Sequence, residues 1–125
     1  MARAVLTRSA QAIAAYAATL APLGLDAIAL PVTRTGPASA EEQERLARAL
    51  ARLADFDAIV VASARGAHAL LEAIGEPARL RAAGAPSVWA VGSATAWALA
   101  ARGVIASTPA QADARGLAAA MLAAG

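Results

Sequence analysis

Hydroxyl and guanidinium side chains follow directly after short apolar runs of this sequence. Thr7 and Arg8 come after the first run, and Ser63 and Arg65 come after the third. A hydroxyl group donates one hydrogen bond to a carboxylate, whereas the planar guanidinium group of arginine donates two parallel ones. These residue types therefore predict a site that holds an acidic ligand.

The pattern recurs after all five apolar runs of the chain. The residues that follow the runs are Thr7, Arg8, Ser9, Thr33, Arg34, Ser63, Arg65, Gly92, Ser93, Thr95, Ser107 and Thr108. None of them is a carboxylate. If the runs are parallel strands, they end at one edge of a sheet, where ligands bind and the N-termini of the following helices favour anions. The ligand-binding residues predicted at this edge are Thr7, Arg8, Arg34, Ser63, Arg65, Ser93 and Thr95.

Structural roles remain open for the same residues. Ser9, Ser63 and Ser93 are each well placed to cap a helix, and for each serine taken alone capping is the favoured interpretation. The arginines could be ordinary solvated loop residues, so only their recurrence at one edge favours ligand binding. We assign no catalytic residue and no metal ligand.

Other polar and aromatic side chains favour structural interpretations. His68 is predicted in a helix with no cysteine or second histidine near it, so we expect a surface or half-buried residue rather than a base. Tyr16 and Trp97 recur at helical spacing on apolar faces, which predicts that both pack in the core. Asp55 and Asp57 flank the start of a strand, the end away from ligand chemistry, and are predicted as turn residues.

The elements that would position the edge residues alternate regularly. Short β-branched runs alternate with longer alanine-rich helical patterns, which is typical of β-α-β units. The predicted strands are 3–7, 25–31, 57–62, 87–91 and 103–107. The predicted helices are 9–23, a stretch from Ser39, a stretch after Ser63, 93–102 and a stretch from Asp113. This alternation predicts an α/β fold, a flavodoxin-like three-layer sandwich around a five-stranded parallel sheet, in a single domain over residues 1–125.

Composition excludes several classes of protein. Hydrophobic residues make up 59% of the 125 residues and aromatic residues only 3%, which indicates a core packed with small side chains. No cysteine occurs and there is one histidine, so the sequence excludes disulfides and a structural zinc site. All eleven basic residues are arginines scattered among acids, which argues against nucleic-acid binding. The apolar stretches are too short to span a membrane and no signal peptide is evident, so we expect a cytoplasmic protein.

Other families with this kind of fold need residues that the predicted edge does not have. A phosphoacceptor receiver domain needs acids after strands one and three and a lysine after strand five, where this chain has Thr7 and Arg8, Ser63 and Ser107. A flavodoxin needs a glycine in the loop after strand one, and "TRSAQA" has none. Neither GxGxxG nor GxxxxGKS/T occurs, so nucleotide binding has no motif to support it.

Three stretches, taken in order, carry a resemblance to a known family. "VLTRSAQAIAAYAATLAPLGLDAIALPV" has a strand ending in Thr-Arg, a helix, a glycine and a strand ending in proline. "FDAIVVASARGAHALLEAI" has a strand that runs into a serine turn. "VWAVGSATAWALAARGV" has a valine-glycine-x-x-threonine-alanine helix, and "TPAQADARGLAAAM" follows it. In this order and spacing they resemble uroporphyrinogen-III synthase.

The resemblance implies a reaction and a substrate. The family closes the linear tetrapyrrole hydroxymethylbilane into uroporphyrinogen III with inversion of ring D, and it uses no metal or cofactor. The substrate carries eight carboxylates, which agrees with the arginine and hydroxyl edge. The positions that match the family's motifs are Thr7, Arg8, Ser63, Ser93 and Thr95. Their implied work is to bind acetate and propionate groups and to orient the ring.

The resemblance also predicts that this chain is one half of such an enzyme. Family members are about twice this length and hold the substrate between two similar α/β lobes, and the tyrosine implicated in departure of the hydroxyl has no counterpart here. Strand one would either fold back beside strand three, in the strand order 2-1-3-4-5, or swap into a second copy. We expect an engineered or truncated single lobe with little or no activity alone; a natural truncated relative is the alternative.

Two further hypotheses stay open. Two copies that face each other across a cleft would form an active homodimeric synthase. A small flavodoxin-like domain that binds another anion or a flavin is the third interpretation. For either form of the synthase the expected partner is the linear tetrapyrrole polycarboxylate, with no nucleic acid and no membrane.

Overall fold

The structure is a computed structural model that describes residues 2–7, 10–32 and 36–125. These residues form α-helices and parallel β-strands, so the α/β class predicted from the alternating pattern is confirmed. They divide into two compact units, Met1–Ser39 and Ala40–Gly125.

The first unit is a β-α-β motif. Its elements are strand β1 (Ala2–Leu6), helix α1 (Ala10–Leu20), a 3-10 turn (Ala21–Leu23) and strand β2 (Leu25–Ala29). Gly24 ends the helical part with a φ of 77°, a left-handed conformation that glycine adopts without steric cost. β1 and β2 pair in parallel over their whole length, as the predicted strand order requires.

The second unit contains the other elements. They are helix α2 (Ala40–Ala51), strand β3 (Ala58–Val61), helix α3 (Ala64–Ile74), strand β4 (Ser87–Ala90), helix α4 (Ser93–Ala100) and helix α5 (Ala114–Ala124), with 3-10 turns at Leu53–Asp55 and Pro77–Leu80. β3 and β4 also pair in parallel, with Val61 opposite Ala90. The four strands begin and end within two residues of their predicted bounds.

The core of the second unit combines apolar residues of β3, β4, α3 and α4. Leu71 on α3, Leu99 on α4 and Val104 after α4 are each at most 1% exposed. The loop after α3 is tied to the end of α2, because Arg79 Nη2 donates a 2.7 Å hydrogen bond to the carbonyl of Leu50. This core holds α3 and α4 against the ends of the two strands that precede them.

The predicted five-stranded sheet in the order 2-1-3-4-5 is not found in the described residues. Their strands form two two-stranded sheets, β1–β2 and β3–β4. The predicted fifth strand, 103–107, is reduced to one parallel bridge between Ser107 and Trp89. In that bridge the backbone N–H of Ala90 donates to the carbonyl of Ser107 at 2.9 Å.

The fifth segment stays short because only one of its two β-branched residues is buried. Val104 is 1% exposed, but Ile105 is 82% exposed. A strand is stabilised by cross-strand side-chain pairs as well as by its backbone hydrogen bonds, and here only Ser107 pairs with a neighbour. The β-branched composition of the segment therefore overstates its length as a strand.

Candidate functional site

The predicted site residues of the second unit lie where β3 and β4 lead into α3 and α4. The parallel register continues past the strands, since the backbone N–H of Val91 donates to the carbonyl of Val61 at 3.2 Å. Ser63 and Gly92 then precede the two helices. Because parallel strands end at the same edge of their sheet, the N-termini of α3 and α4 open at one edge of this unit.

Ser63 caps helix α3. Its backbone is extended, with φ −149° and ψ 156°, and its Oγ accepts a 3.0 Å hydrogen bond from the backbone N–H of Gly66. This bond satisfies one of the N–H groups that have no partner within the helix. The capping interpretation of Ser63 is confirmed. It does not exclude a ligand, because a hydroxyl that accepts one hydrogen bond still has a proton to donate.

Helix α4 begins differently. Its N-cap is Gly92, and no side chain in the described part of the chain caps it. The first hydrogen bond of this helix runs from the backbone N–H of Ala96 to the carbonyl of Gly92, at 3.1 Å. The N–H groups that precede Ala96 therefore have no partner within the helix, an arrangement that favours an anion. Ser93 is the first helical residue and its side chain is exposed, so the capping interpretation of Ser93 is wrong.

Arg65 and Thr95 lie in the first turns of the same two helices but differ in burial. Arg65 is exposed on α3. Thr95 is only 4% exposed, and it lies one turn before the buried Leu99 on α4. A side chain so buried packs within the fold, so the part of Thr95 that the start of α4 offers to a ligand is its backbone N–H.

A carboxylate occupies the start of helix α5, a role that the sequence argument did not assign. Asp113 Oδ1 accepts a 2.7 Å hydrogen bond from the backbone N–H of Gly116, and Asp113 Oδ2 accepts one from Gln111 Nε2, also at 2.7 Å. An aspartate directly before an alanine-rich run is a typical N-cap signal, so the role was readable. Its negative charge makes the start of α5 a poorer anion site than the start of α4.

The remaining predicted site residues belong to the first unit. Thr7 directly follows β1 and is exposed, and its carbonyl accepts a 3.4 Å hydrogen bond from the backbone N–H of Val32. The predicted residues that lie outside the described part of the chain are Arg8, Ser9, Thr33 and Arg34. The predicted residues that the structure brings together in the second unit are Ser63, Arg65, Ser93 and Thr95.

The expectation that Tyr16 and Trp97 pack in the core is wrong. Trp97 is 75% exposed on α4, and Tyr16 is 42% exposed on α1. α4 has the sequence SATAWALA, which is apolar around most of its circumference, so its periodicity could not show which side would be buried. His68 is exposed on α3, in agreement with its expected surface position.

The second unit also has an apolar groove, whose lining differs from the polar edge described above. The groove has a volume of about 210 Å³ and is lined by apolar residues of α2, β3, α3 and the segment between α2 and β3, among them Leu46, Phe56 and Ile59. Within residues 2–7, 10–32 and 36–125, no group of three or more His, Cys, Asp or Glu side chains could hold a metal ion. None of the helices in these ranges is long and apolar enough to cross a membrane.

Comparison with known proteins identifies the family. The family described as uroporphyrinogen-III synthase HemD matches residues 14–125, a range that contains the whole α3–α4 edge. No curated protein matches the chain. The family match agrees with the resemblance carried by the three sequence stretches. This chain belongs to the uroporphyrinogen-III synthase family.

Proposed function

We propose that the N-termini of α3 and α4 bind the carboxylates of hydroxymethylbilane. These helix starts would form one wall of a uroporphyrinogen-III synthase site. The proposal is carried by the pair of neighbouring helix starts, one uncapped at Gly92 and the other beside Arg65. Family membership supplies the reaction to which such a site would belong, cyclisation with inversion of ring D.

The start of α4 suits a first carboxylate. Its N–H groups before Ala96 have no partner within the helix, and the exposed hydroxyl of Ser93 adds a donor. A Cβ atom placed on Gly92 would meet nothing within 4 Å, so a ligand oxygen has room to approach this backbone. The helix dipole adds about 0.3–1 kcal/mol for a negative group in this position.

The start of α3 suits a second carboxylate. Arg65 is exposed in the first turn of α3, where its guanidinium group can bind a carboxylate through two parallel hydrogen bonds. The hydroxyl of Ser63 can donate to the same ligand while it accepts from Gly66. Two carboxylates held in this way fix the pyrrole ring that carries them relative to its neighbours, which is how positioning contributes to ring closure.

The two helix starts have groups for two carboxylates, whereas the substrate of the family carries eight. The other carboxylates and the far side of the tetrapyrrole need a second surface, which a second copy or another polypeptide segment would supply. We therefore expect that the monomeric chain binds the substrate but forms little uroporphyrinogen III.

The test is ring closure of freshly generated hydroxymethylbilane, with the product isomers separated. Free substrate closes spontaneously to the uninverted isomer I. With the chain in excess, we expect this closure to slow, because bound substrate is withdrawn from solution, and we expect little isomer III. Arg65→Ala should restore the spontaneous rate, whereas Arg45→Ala on the exposed face of α2 should behave as the unchanged chain does.

Two other outcomes have clear meanings. Isomer III that grows in proportion to added protein, together with a dimeric mass, would establish the homodimeric synthase instead. An unchanged rate and unchanged products with the protein in excess would show that the edge does not bind the substrate.

A further inference from the structure

Helix α2 and the segment after it have an apolar surface that is only partly covered. Among the twelve residues of α2, all of them described, Leu50 alone is buried. Leu46 is 37% exposed and Phe56 is 46% exposed, and both side chains line the apolar groove of about 210 Å³. A helix of this length is marginally stable by itself in water, so most of its stability has to come from a covered apolar face. The exposed part of that face therefore indicates a further contact.

The spacing of the groove residues indicates a helix as the molecule that makes this contact. Leu46, Ala49 and Leu53 follow one another at intervals of three and four residues, and all three line the groove. Two helices that pack side by side have apolar residues at these intervals, and each side chain of one helix enters a gap of the other. Ala49 is small, so it leaves such a gap for a leucine. We call these three residues the α2 seam.

The charges beside the seam indicate which helix packs on it. Every glutamate of residues 40–52 lies within 41–44, and every arginine lies within 45–52. Two copies of α2 that pack antiparallel therefore place the acidic half of each helix against the basic half of the other. A parallel pair would place acid against acid and arginine against arginine. The segregated charges thus make the surface complementary to a second, antiparallel copy of itself.

We propose that the α2 seam is a dimerisation surface, on which α2 of a second copy packs antiparallel about a two-fold axis. Leu46 of each copy lies over Ala49 of the other. In this register Glu42 of one copy lies opposite Leu53 of the other, one residue beyond Arg52. The carboxylate of Glu42 then binds the guanidinium group of Arg52 across the axis. The same contact occurs twice, as a two-fold axis requires.

Arg52 can make this contact and keep its bond within the chain. Arg52 Nε donates a 2.8 Å hydrogen bond to Asp55 Oδ2. The guanidinium group has five N–H donors, so others remain for an acceptor on the second copy. The Arg52 side chain is 75% exposed, which leaves it accessible to that copy.

The seam is short, so the dimer is expected to be weak. α2 has twelve residues and is about 18 Å long. A pair of such helices is smaller than the interface of a typical stable complex, which buries about 1,200–2,000 Å². We therefore expect a dissociation constant in the micromolar range or above. The inference is independent of the proposed substrate site and uses none of its residues.

The test is analytical ultracentrifugation of the full chain over a series of micromolar to millimolar concentrations. We expect a monomer–dimer equilibrium. Leu46→Gln should raise the dissociation constant about tenfold, because the substituted side chain occurs twice in the interface. The matched control is Leu122→Gln, at a position on α5 that is 83% exposed and outside the seam, and it should leave the constant unchanged. Glutamine is a good helix former, and circular dichroism checks that both variants keep their helices.

Charge reversal tests the antiparallel register. Glu42→Arg alone and Arg52→Glu alone each place two pairs of like charges across the axis, so each variant should dimerise about three- to tenfold more weakly than the unchanged chain. Mixed in equal amounts, the two variants form a heterodimer in which both pairs are again of opposite charge. The mixture should therefore recover most of the lost dimer. A local effect of either substitution on its own chain cannot be recovered by mixing.

Three results would overturn the inference. A chain that stays monomeric at every concentration would show that a second copy does not cover the seam. A dimer that neither Leu46→Gln nor the charge reversals weaken would have its contact on another surface. Equal weakening by Leu122→Gln would indicate general association of exposed apolar side chains. Failure to recover the dimer on mixing the charge-reversed variants would contradict the antiparallel register.

Discussion

The hydroxyl group of Ser63 caps helix α3, whereas the hydroxyl group of Ser93 is exposed at the start of helix α4. Ser63 Oγ accepts from the backbone N–H of Gly66 at 3.0 Å. Ser93 comes one residue after the N-cap Gly92 and caps nothing. The two serines follow successive strands and look alike in the sequence, so only the position of each helix start separates a capping hydroxyl from an exposed one that caps nothing.

This difference predicts that the two alanine variants differ in stability. Ser63→Ala removes the cap of α3 and should lower the free energy of unfolding by about 1 kcal/mol. Ser93→Ala removes no such bond and should change that free energy by less than about 0.5 kcal/mol. Urea unfolding followed by circular dichroism measures both. Equal losses in the two variants, or a loss in Ser93→Ala alone, would show that the caps are assigned to the wrong residues.

At the scale of the elements, α3 and α4 show how far a hydrophobic pattern predicts which face of a helix is buried. α3 has buried leucines and an isoleucine at helical spacing and polar residues between them, so its buried face was readable from the sequence. α4 is apolar almost throughout, so helix formation was predictable but its rotation was not. That rotation is set by packing against α3, which buries Leu99 and leaves Trp97 outside. The exposed tryptophan therefore became visible only in the structure.

The strands likewise include some that the sequence predicts and one whose length it does not predict. Four of them were predictable, because their apolar runs pair with a neighbour over four or five residues. The fifth run has the right composition, but Ile105 is exposed and a single bridge at Ser107 remains. The length of a strand depends on whether other elements bury both of its faces. Local composition carries no information on that burial.

The packing of α3 predicts how much stability the buried Leu71 contributes. Leu71 is 1% exposed, so Leu71→Ala should lower the free energy of unfolding of the second unit by about 3 kcal/mol, through lost burial and a residual cavity. Both tryptophans, Trp89 and Trp97, lie in this unit, so tryptophan fluorescence during urea unfolding reports on it. Leu122→Ala, at an 83% exposed position, is the control and should change little. A loss below about 1 kcal/mol for Leu71→Ala would contradict the described core.

At the scale of the whole molecule, the edge proposed to bind anions lies within the second unit. The edge residues Ser63, Arg65 and Ser93 all belong to Ala40–Gly125, and the family match covers the whole of this unit. The sequence predicted these residues as members of one edge because strands that alternate with helices end on the same side of a parallel sheet. It could not predict that Thr95 is buried, since that depends on how the helices pack. The acid at the start of α5 was readable, because Asp113 directly precedes an alanine-rich run.

The most direct test of the central claim is calorimetric titration of a tetrapyrrole with eight carboxylates, uroporphyrin, into the chain and two arginine variants. We expect the unchanged chain to bind it and Arg65→Ala to bind it about tenfold more weakly, equivalent to about 1.4 kcal/mol. Arg45→Ala should bind as the unchanged chain does, because Arg45 is an exposed arginine on α2 and belongs to neither of the two helix starts. Equal weakening by both variants would reveal attraction to surface charge in general, and no binding by the unchanged chain would contradict the account.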